Sequence, residues 1–139
     1  MSANKIHLVC SSGGVKCFSY LGAINRLYRS QVQIETISAC SMGTVIGALI
    51  ASGIDLNILE ERILNFDFSL LNTEKRFSLL HFFIPPYATH HTPNYGKVIE
   101  QLLGEDLTLS KLKIPFSALA LDIRQKRFLV YSSETHPEM

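Results

Sequence analysis

The sequence has no tryptophan, only three cysteines and no long run of one charge. Three cysteines without a Cys-x-x-Cys pair or a histidine at ligand spacing predict neither a disulfide framework nor a zinc site, and they favour a reducing compartment. The formal net charge is +1, from 13 basic and 12 acidic residues. Binding through phosphate neutralisation needs clustered Lys and Arg, so nucleic acid is not an expected partner.

Long apolar runs are also missing. The longest largely apolar tract, residues 37–54, is interrupted by too many serines and glycines for a membrane span of about 20 residues. The N-terminus lacks the apolar stretch and cleavage site of a secretion signal. We therefore expect a cytoplasmic chain. Its 139 residues, 47% of them hydrophobic, predict a single globular domain over 1–139.

The apolar residues follow strand-like and helix-like patterns in turn. The pattern predicts four strands, the last two joined as an antiparallel hairpin: 6–10, 34–39, 113–122 and 127–132. It predicts four helices, the third capped by Asp55: 18–30, 42–51, 56–66 and 98–103. Strands that alternate with helices predict the α/β class, with a mainly parallel sheet and helices on both faces.

The region between the third and fourth helices, residues 68–93, lacks a clean period and is predicted to be irregular. Its aromatic residues Phe82, Phe83 and Tyr87 suit either contact with a membrane surface or coverage of the core. The adjacent His90 and His91 have no third ligand at helical spacing, so no metal is predicted.

The segment Ala39-Cys40-Ser41-Met42-Gly43 lies between a predicted strand and a predicted helix. It matches the nucleophile-elbow pattern Gly-x-Ser-x-Gly, except that alanine replaces the first glycine. In such an elbow a tight turn exposes the serine hydroxyl, and the following helix directs free amides and its positive dipole end towards it. Ser41 is therefore a candidate nucleophile and Gly43 the small residue of the elbow. The alternative is a serine that only caps an apolar helix.

A second motif, Ser12-Gly13-Gly14-Val15-Lys16, follows the first predicted strand. Adjacent glycines let backbone amides converge on an anion or oxyanion, although such a loop also serves as a plain turn. The spacings of phosphate-binding Walker and dinucleotide-binding loops are absent. Both motifs follow the carboxyl ends of successive strands, so we expect the Gly13 and Gly14 amides to face the Ser41 hydroxyl.

Together these motifs resemble those of the patatin-like phospholipase family. Residues 8–18, LVCSSGGVKCF, are similar to the family's oxyanion loop Gly-Gly-Gly-x-[Arg/Lys]-Gly, and residues 39–44 are similar to its elbow. The resemblance implies a three-layer α/β architecture, of which this chain contains a part. It also implies a serine acyl hydrolase that acts on lipid esters through a Ser-Asp dyad, without a cofactor.

Carried over to this sequence, the resemblance makes Ser41 the nucleophile and assigns Gly13, Gly14 and Lys16 to the oxyanion loop. Three other positions depart from the family pattern by adding a Cβ where the family has glycine: Ser12, Cys17 and Ala39.

The resemblance does not identify a catalytic base. The family's aspartate precedes glycine, and this sequence contains no Asp-Gly dipeptide. Asp122 matches a strand aspartate to which the family gives no catalytic role. The chain is therefore expected to stop before the dyad is complete, and a sheet cut there is expected to self-associate.

Two hypotheses about function follow. The chain is either a phospholipase or esterase that contacts membranes peripherally, or a catalytically silent lipid-binding or interaction domain.

Overall fold

A computed structural model describes residues 4–71, 95–104 and 107–139. Within them one sheet contains four strands: β1 (Lys5–Cys10), β2 (Gln33–Cys40), β3 (Phe116–Asp122) and β4 (Arg127–Ser132). The α-helices are α1 (Tyr20–Arg29), α2 (Met42–Ala51), α3 (Leu56–Leu64) and α4 (Tyr95–Leu103). Short 3₁₀ helices cover Gly14–Ser19, Phe68–Leu71 and Leu109–Lys111.

The strands follow one another across the sheet in chain order. β1, β2 and β3 are parallel, and β4 returns antiparallel to β3. The α/β class, the mainly parallel sheet and the terminal hairpin are therefore confirmed. In this register Cys40, the last residue of β2, lies beside Leu119, so β3 continues past the end of its neighbour.

Several predicted boundaries were wrong by one to three residues: the third helix ends at Leu64 rather than at residue 66, and the fourth begins at Tyr95 rather than at residue 98. The first helix begins at Tyr20 rather than at residue 18, because the preceding residues wind into the tighter 3₁₀ helix. β3 begins at Phe116 rather than at residue 113. The amides of Lys113 and Ile114 donate to the carbonyl oxygen of Ala51, at 2.7 and 3.1 Å, and Pro115 has no amide hydrogen for a ladder.

The start of α3 is fixed by the predicted cap. The Asp55 carboxylate accepts hydrogen bonds from the amides of Asn57 at 2.8 Å and Ile58 at 3.4 Å. These are amides that the first turn of a helix leaves without an internal partner. The cap starts α3 a few residues after the end of α2, and α3 packs against α1 and α4.

Helix α2 packs on β1, β2 and β3, and α4 packs on α2 and α3. Gly47 makes the close packing on the sheet possible. A Cβ at this position would lie 3.0 Å from the Phe116 ring, 3.2 Å from Ile37 and 3.3 Å from Ala39. The core therefore lies between α2 and this face of the sheet, with Ile46 and Leu49 fully buried.

The opposite face of the sheet carries exposed apolar side chains. Across the hairpin, Leu119 pairs with Val130 and Leu121 pairs with Phe128, and all four are exposed. Helices expected on this second face are not among the described elements.

Residues 72–94 lie outside the described part of the chain, and with them the predictions for Phe82, Phe83, Tyr87, His90 and His91. Among the described residues, no helix combines the length and apolar character that crossing a bilayer requires.

Candidate active site

Ser41 is the single residue between the end of β2 and the start of α2. Its backbone has φ 54° and ψ −136°, a combination that side-chain-bearing residues rarely adopt. Strained conformations of this kind cost on the order of 1–3 kcal/mol and are concentrated at functional sites. The side chain is exposed at the carboxyl edge of the sheet. This backbone geometry is compatible with a nucleophile elbow.

Gly43 brings the elbow against the end of β1. A Cβ on Gly43 would collide with the carbonyl oxygen of Cys10 and would lie 2.5 Å from that of Ser11. Backbone carbonyls cannot move aside as a flexible side chain can, so only glycine fits here. Ser11 directly precedes the glycine loop, Ser12-Gly13-Gly14-Val15-Lys16, so the start of α2 lies close to the point where the chain enters this loop. That the Gly13 and Gly14 amides face the Ser41 hydroxyl stays a prediction.

The glycine loop is a strand-to-3₁₀ turn held by local contacts. Gly14 has φ +55°, in the left-handed region that favours glycine, and the space around its missing side chain is open. Gly13 directly precedes the 3₁₀ helix Gly14–Ser19, and its carbonyl oxygen accepts a hydrogen bond from the Lys16 amide at 3.2 Å. The Lys16 side chain is exposed.

Cys17, one of the departures from the family pattern, fills the space under the loop. It is fully buried, and its thiol donates to the Ser11 carbonyl oxygen at 3.5 Å. A Cβ added to Gly13 would lie 2.9 Å from the Cys17 sulfur. The buried Cys17 side chain therefore packs against the loop, and the absence of a Cβ at Gly13 leaves space for its sulfur.

The electrostatics of the edge favour a negative charge near Ser41. The first turn of α2 and the first turn of the 3₁₀ helix both begin there, and the first amides of a helix have no internal acceptor. The Cys10 thiol, at the end of β1, does not compete as a nucleophile. Burial, and secondarily Cys17, raises the pKa of Cys10 to about 11, so this thiol stays protonated at neutral pH.

A catalytic base is not found among the described residues. Ser41 makes no side-chain cap hydrogen bond, and its hydroxyl has no partner in the described part of the chain. The Asp122 carboxylate is engaged in the β3–β4 turn, where it accepts the amides of Arg124 and Gln125, each at 2.9 Å. Asp122 therefore has a structural role.

Two histidines and one further aspartate have hydrogen-bond partners other than Ser41. His7 contacts the Thr36 hydroxyl at 2.5 Å on the first two strands, and His136 contacts the Thr135 hydroxyl at 2.7 Å beyond β4. Hydrogen bonds from the side chain and backbone of Ser69 lower the pKa of Asp67, which keeps that exposed carboxyl ionised. None of these groups forms a dyad with Ser41.

The sequence did not predict the packing roles of two residues, Cys17 and Gly47. In the sequence, Cys17 is only a departure from a glycine position of the family. Gly47 follows Gly43 by one helical turn, so both glycines lie on the same side of α2. That Gly-x-x-x-Gly spacing is a readable signal of a helix pressed closely against its neighbours.

The family model described as patatin-like phospholipase matches residues 8–138. This chain belongs to that family. Since the match includes the glycine loop, the elbow and the hairpin, it covers every element of the candidate site.

Curated relatives in the family include lysophospholipase NTE1 of Saccharomyces cerevisiae, 27% identical over 96 residues. The same protein of Kluyveromyces lactis is 29% identical over 96 residues. Each alignment covers 69% of this chain but only 6% and 7% of the respective relatives. The chain thus spans a small part of the length of the lysophospholipases it matches, and lipid hydrolysis is established here at the level of the family.

Solved structures share the fold. The type III effector protein ExoU superposes with a TM-score of 0.59 at 17% identity, over 96% of this chain and 37% of ExoU. The heterodimeric complex ExoU–SpcU from the type III secretion system of Pseudomonas aeruginosa gives a TM-score of 0.53 at 19% identity. That alignment covers 99% of this chain and 34% of the matched chain.

Proposed function

We propose that the chain carries the nucleophile and oxyanion-binding half of a cytoplasmic lipid acyl hydrolase, a phospholipase or esterase. The Ser41 hydroxyl attacks the carbonyl carbon of a fatty-acyl ester, forming an acyl-enzyme and releasing the alcohol portion of the lipid. Water then releases the fatty acid and regenerates the hydroxyl. The single observation that carries the proposal is the strained, exposed backbone of Ser41 between β2 and α2.

The remaining site residues have supporting roles in this proposal. The glycine loop, with Gly13, Gly14 and Lys16, binds the oxyanion that forms when Ser41 attacks. The first amides of α2 add to the same field, and Gly43 keeps the helix close enough for them to do so. The contact between Gly43 and Ser11 supports this arrangement because it holds loop and elbow together.

Proton transfer from Ser41 is the step that the described residues leave without an acceptor. A serine hydroxyl without a base is a weak nucleophile, and loss of its activation typically costs several orders of magnitude in rate. This observation favours a second candidate function for the 139-residue chain by itself. It would be a catalytically silent lipid-binding or interaction domain that retains the fold of the family.

The two functions are separated by labelling with a fluorophosphonate, which reacts covalently with activated serines. The hydrolase proposal expects labelling of the chain and its loss in Ser41→Ala. The matched control is Ser38→Ala, three residues earlier and within β2, whose exposed hydroxyl contacts only Ser117 at 3.0 Å among the described residues. Labelling that survives in Ser41→Ala would remove Ser41 from the site. An unlabelled chain that still binds lipid would support the silent domain.

A further inference from the structure

We infer that the tip of the β3–β4 hairpin, residues 121–128, docks on an anionic lipid surface beside the candidate active site. The inference rests on the proposed function, because it concerns how a lipid ester reaches Ser41. It depends on the position of the tip, on its exposed apolar residues and on its charge.

The tip projects from the same edge of the sheet as Ser41. Parallel strands end at the same edge, and Leu119 of β3 is level with Cys40, the residue before Ser41. Asp122 therefore lies three residues beyond the end of β2, which is roughly 10 Å at the rise of a β-strand. A surface that touches the tip would also face the elbow and the glycine loop.

The tip exposes large apolar side chains. Ile123 and Phe128 are each 70% exposed and Leu121 is 57% exposed. Leu121 and Phe128 are directly paired across the hairpin, so their side chains lie on one face. An aromatic and two aliphatic side chains at a protruding turn can enter the boundary between headgroups and acyl chains.

The same turn carries three cations, Arg124, Lys126 and Arg127, all of them exposed. Their side chains form no ion pair in the described part of the chain. The nearby carboxylate, Asp122, accepts two backbone amides. A cationic turn is complementary to an anionic membrane surface, where each Lys or Arg contributes measurably to binding. The apolar residues favour a lipid surface over a nucleic acid, which offers no apolar layer to enter.

The turn is also ordered before it binds. Asp122 fixes the amides of Arg124 and Gln125, and Lys126 closes the turn with φ 51°. A preformed element loses little conformational freedom when it docks, which favours binding by few residues.

The test measures cosedimentation of the full chain with phosphatidylcholine vesicles, prepared with and without phosphatidylserine. The Ser41→Ala background prevents turnover during the assay. We expect tighter binding to the anionic vesicles and a roughly 25-fold loss in Arg124→Gln/Lys126→Gln, about fivefold for each cation. Ile123→Ser should weaken binding to both kinds of vesicle.

The matched control is Arg26→Gln/Arg29→Gln. It removes the same charge from exposed residues of the last turn of α1, which leads to the opposite edge of the sheet. We expect it to bind as the parent does. Equal losses in both double variants, or no loss in the tip variants, would overturn the inference. So would a tip variant that leaves vesicle binding intact but turns an oligomer into a monomer, which would assign the tip to a second copy of the chain.

Failure of the proposed function is distinguishable from failure of this inference. A chain that resists fluorophosphonate but binds anionic vesicles through its tip would refute the hydrolase and support the docking surface. A chain that is labelled at Ser41 while its tip variants bind as the parent does would support the hydrolase and overturn the docking surface.

Discussion

The part of the sheet under α2 and the β3–β4 hairpin contain similar apolar residues but use them differently. Gly43 and Gly47 allow α2 to pack closely on the strands, and beneath it Ile37 and Phe116 are almost fully buried. On the hairpin, Leu121 and Phe128 form a cross-strand pair that stays exposed. Burial in the first region stabilises the elbow. Exposure in the second leaves apolar surface available to another molecule.

The largest expected effect separates these regions through one buried and one exposed residue. Ile46 is fully buried in α2, whereas Phe128 is exposed. Ile46→Ala should lower the free energy of unfolding by about 4 kcal/mol, and Phe128→Ala should change it by less than about 0.5 kcal/mol. Denaturant unfolding at several protein concentrations measures both. A large cost for Phe128→Ala that grows with concentration would mean that chains bury the hairpin against one another, as expected from the sequence.

A second prediction tests the close approach of α2 to β1. Gly43→Ala should cost about 3 kcal/mol, because the new Cβ meets two backbone carbonyls that cannot give way. Gly22→Ala in α1 is the matched control, since its Cβ would meet nothing within 4 Å. It should stabilise the protein by about 0.5–1 kcal/mol through helix propensity. If the two alanines have the same effect on unfolding, the contact between elbow and loop is not as tight as described.

The third prediction concerns the pH dependence of stability, again in the part of the sheet under α2. Burial raises the pKa of the Cys10 thiol from its ordinary 9.0 to about 11, so the fold favours the protonated form. The stabilisation from this group is fully present below pH 9 and is lost as the pH rises towards 11. The free energy of unfolding should therefore fall over that window by about 2–3 kcal/mol more than in Cys10→Val. If the free energy of unfolding has the same pH dependence in the parent and in Cys10→Val, the prediction is wrong.

Most of the fold could be predicted because local signals and burial agree. The strand patterns of β1 and β2, the Asp55 cap and the hairpin turn each depend on residues close together in sequence. The start of β3 could not be predicted in this way. Residues 113–115 lead directly into the apolar pattern of the strand, but the carbonyl oxygen of Ala51, distant in sequence, accepts the amides of Lys113 and Ile114.

In the candidate site, too, features that depend on local sequence could be predicted and features that depend on tertiary contacts could not. The elbow and glycine loop were readable because each is a short motif with its own backbone requirements. The role of Cys17 under Gly13 was not, because it depends on the loop folding back over its own following turn. A proton acceptor for Ser41 was neither predicted nor found among the described residues, since its motif is absent from the sequence.

The central claim is that the fold holds Ser41 in a strained backbone conformation, and Ser41→Gly tests it most directly. Glycine adopts φ 54° without strain, so relief of about 1–3 kcal/mol should exceed the 0.5–1 kcal/mol that glycine costs through chain entropy. Denaturant unfolding should show a gain of about 1 kcal/mol for Ser41→Gly and a loss for the control Ser38→Gly, within β2. If Ser41→Gly loses as much free energy of unfolding as Ser38→Gly, the claim that the backbone of Ser41 is strained is contradicted.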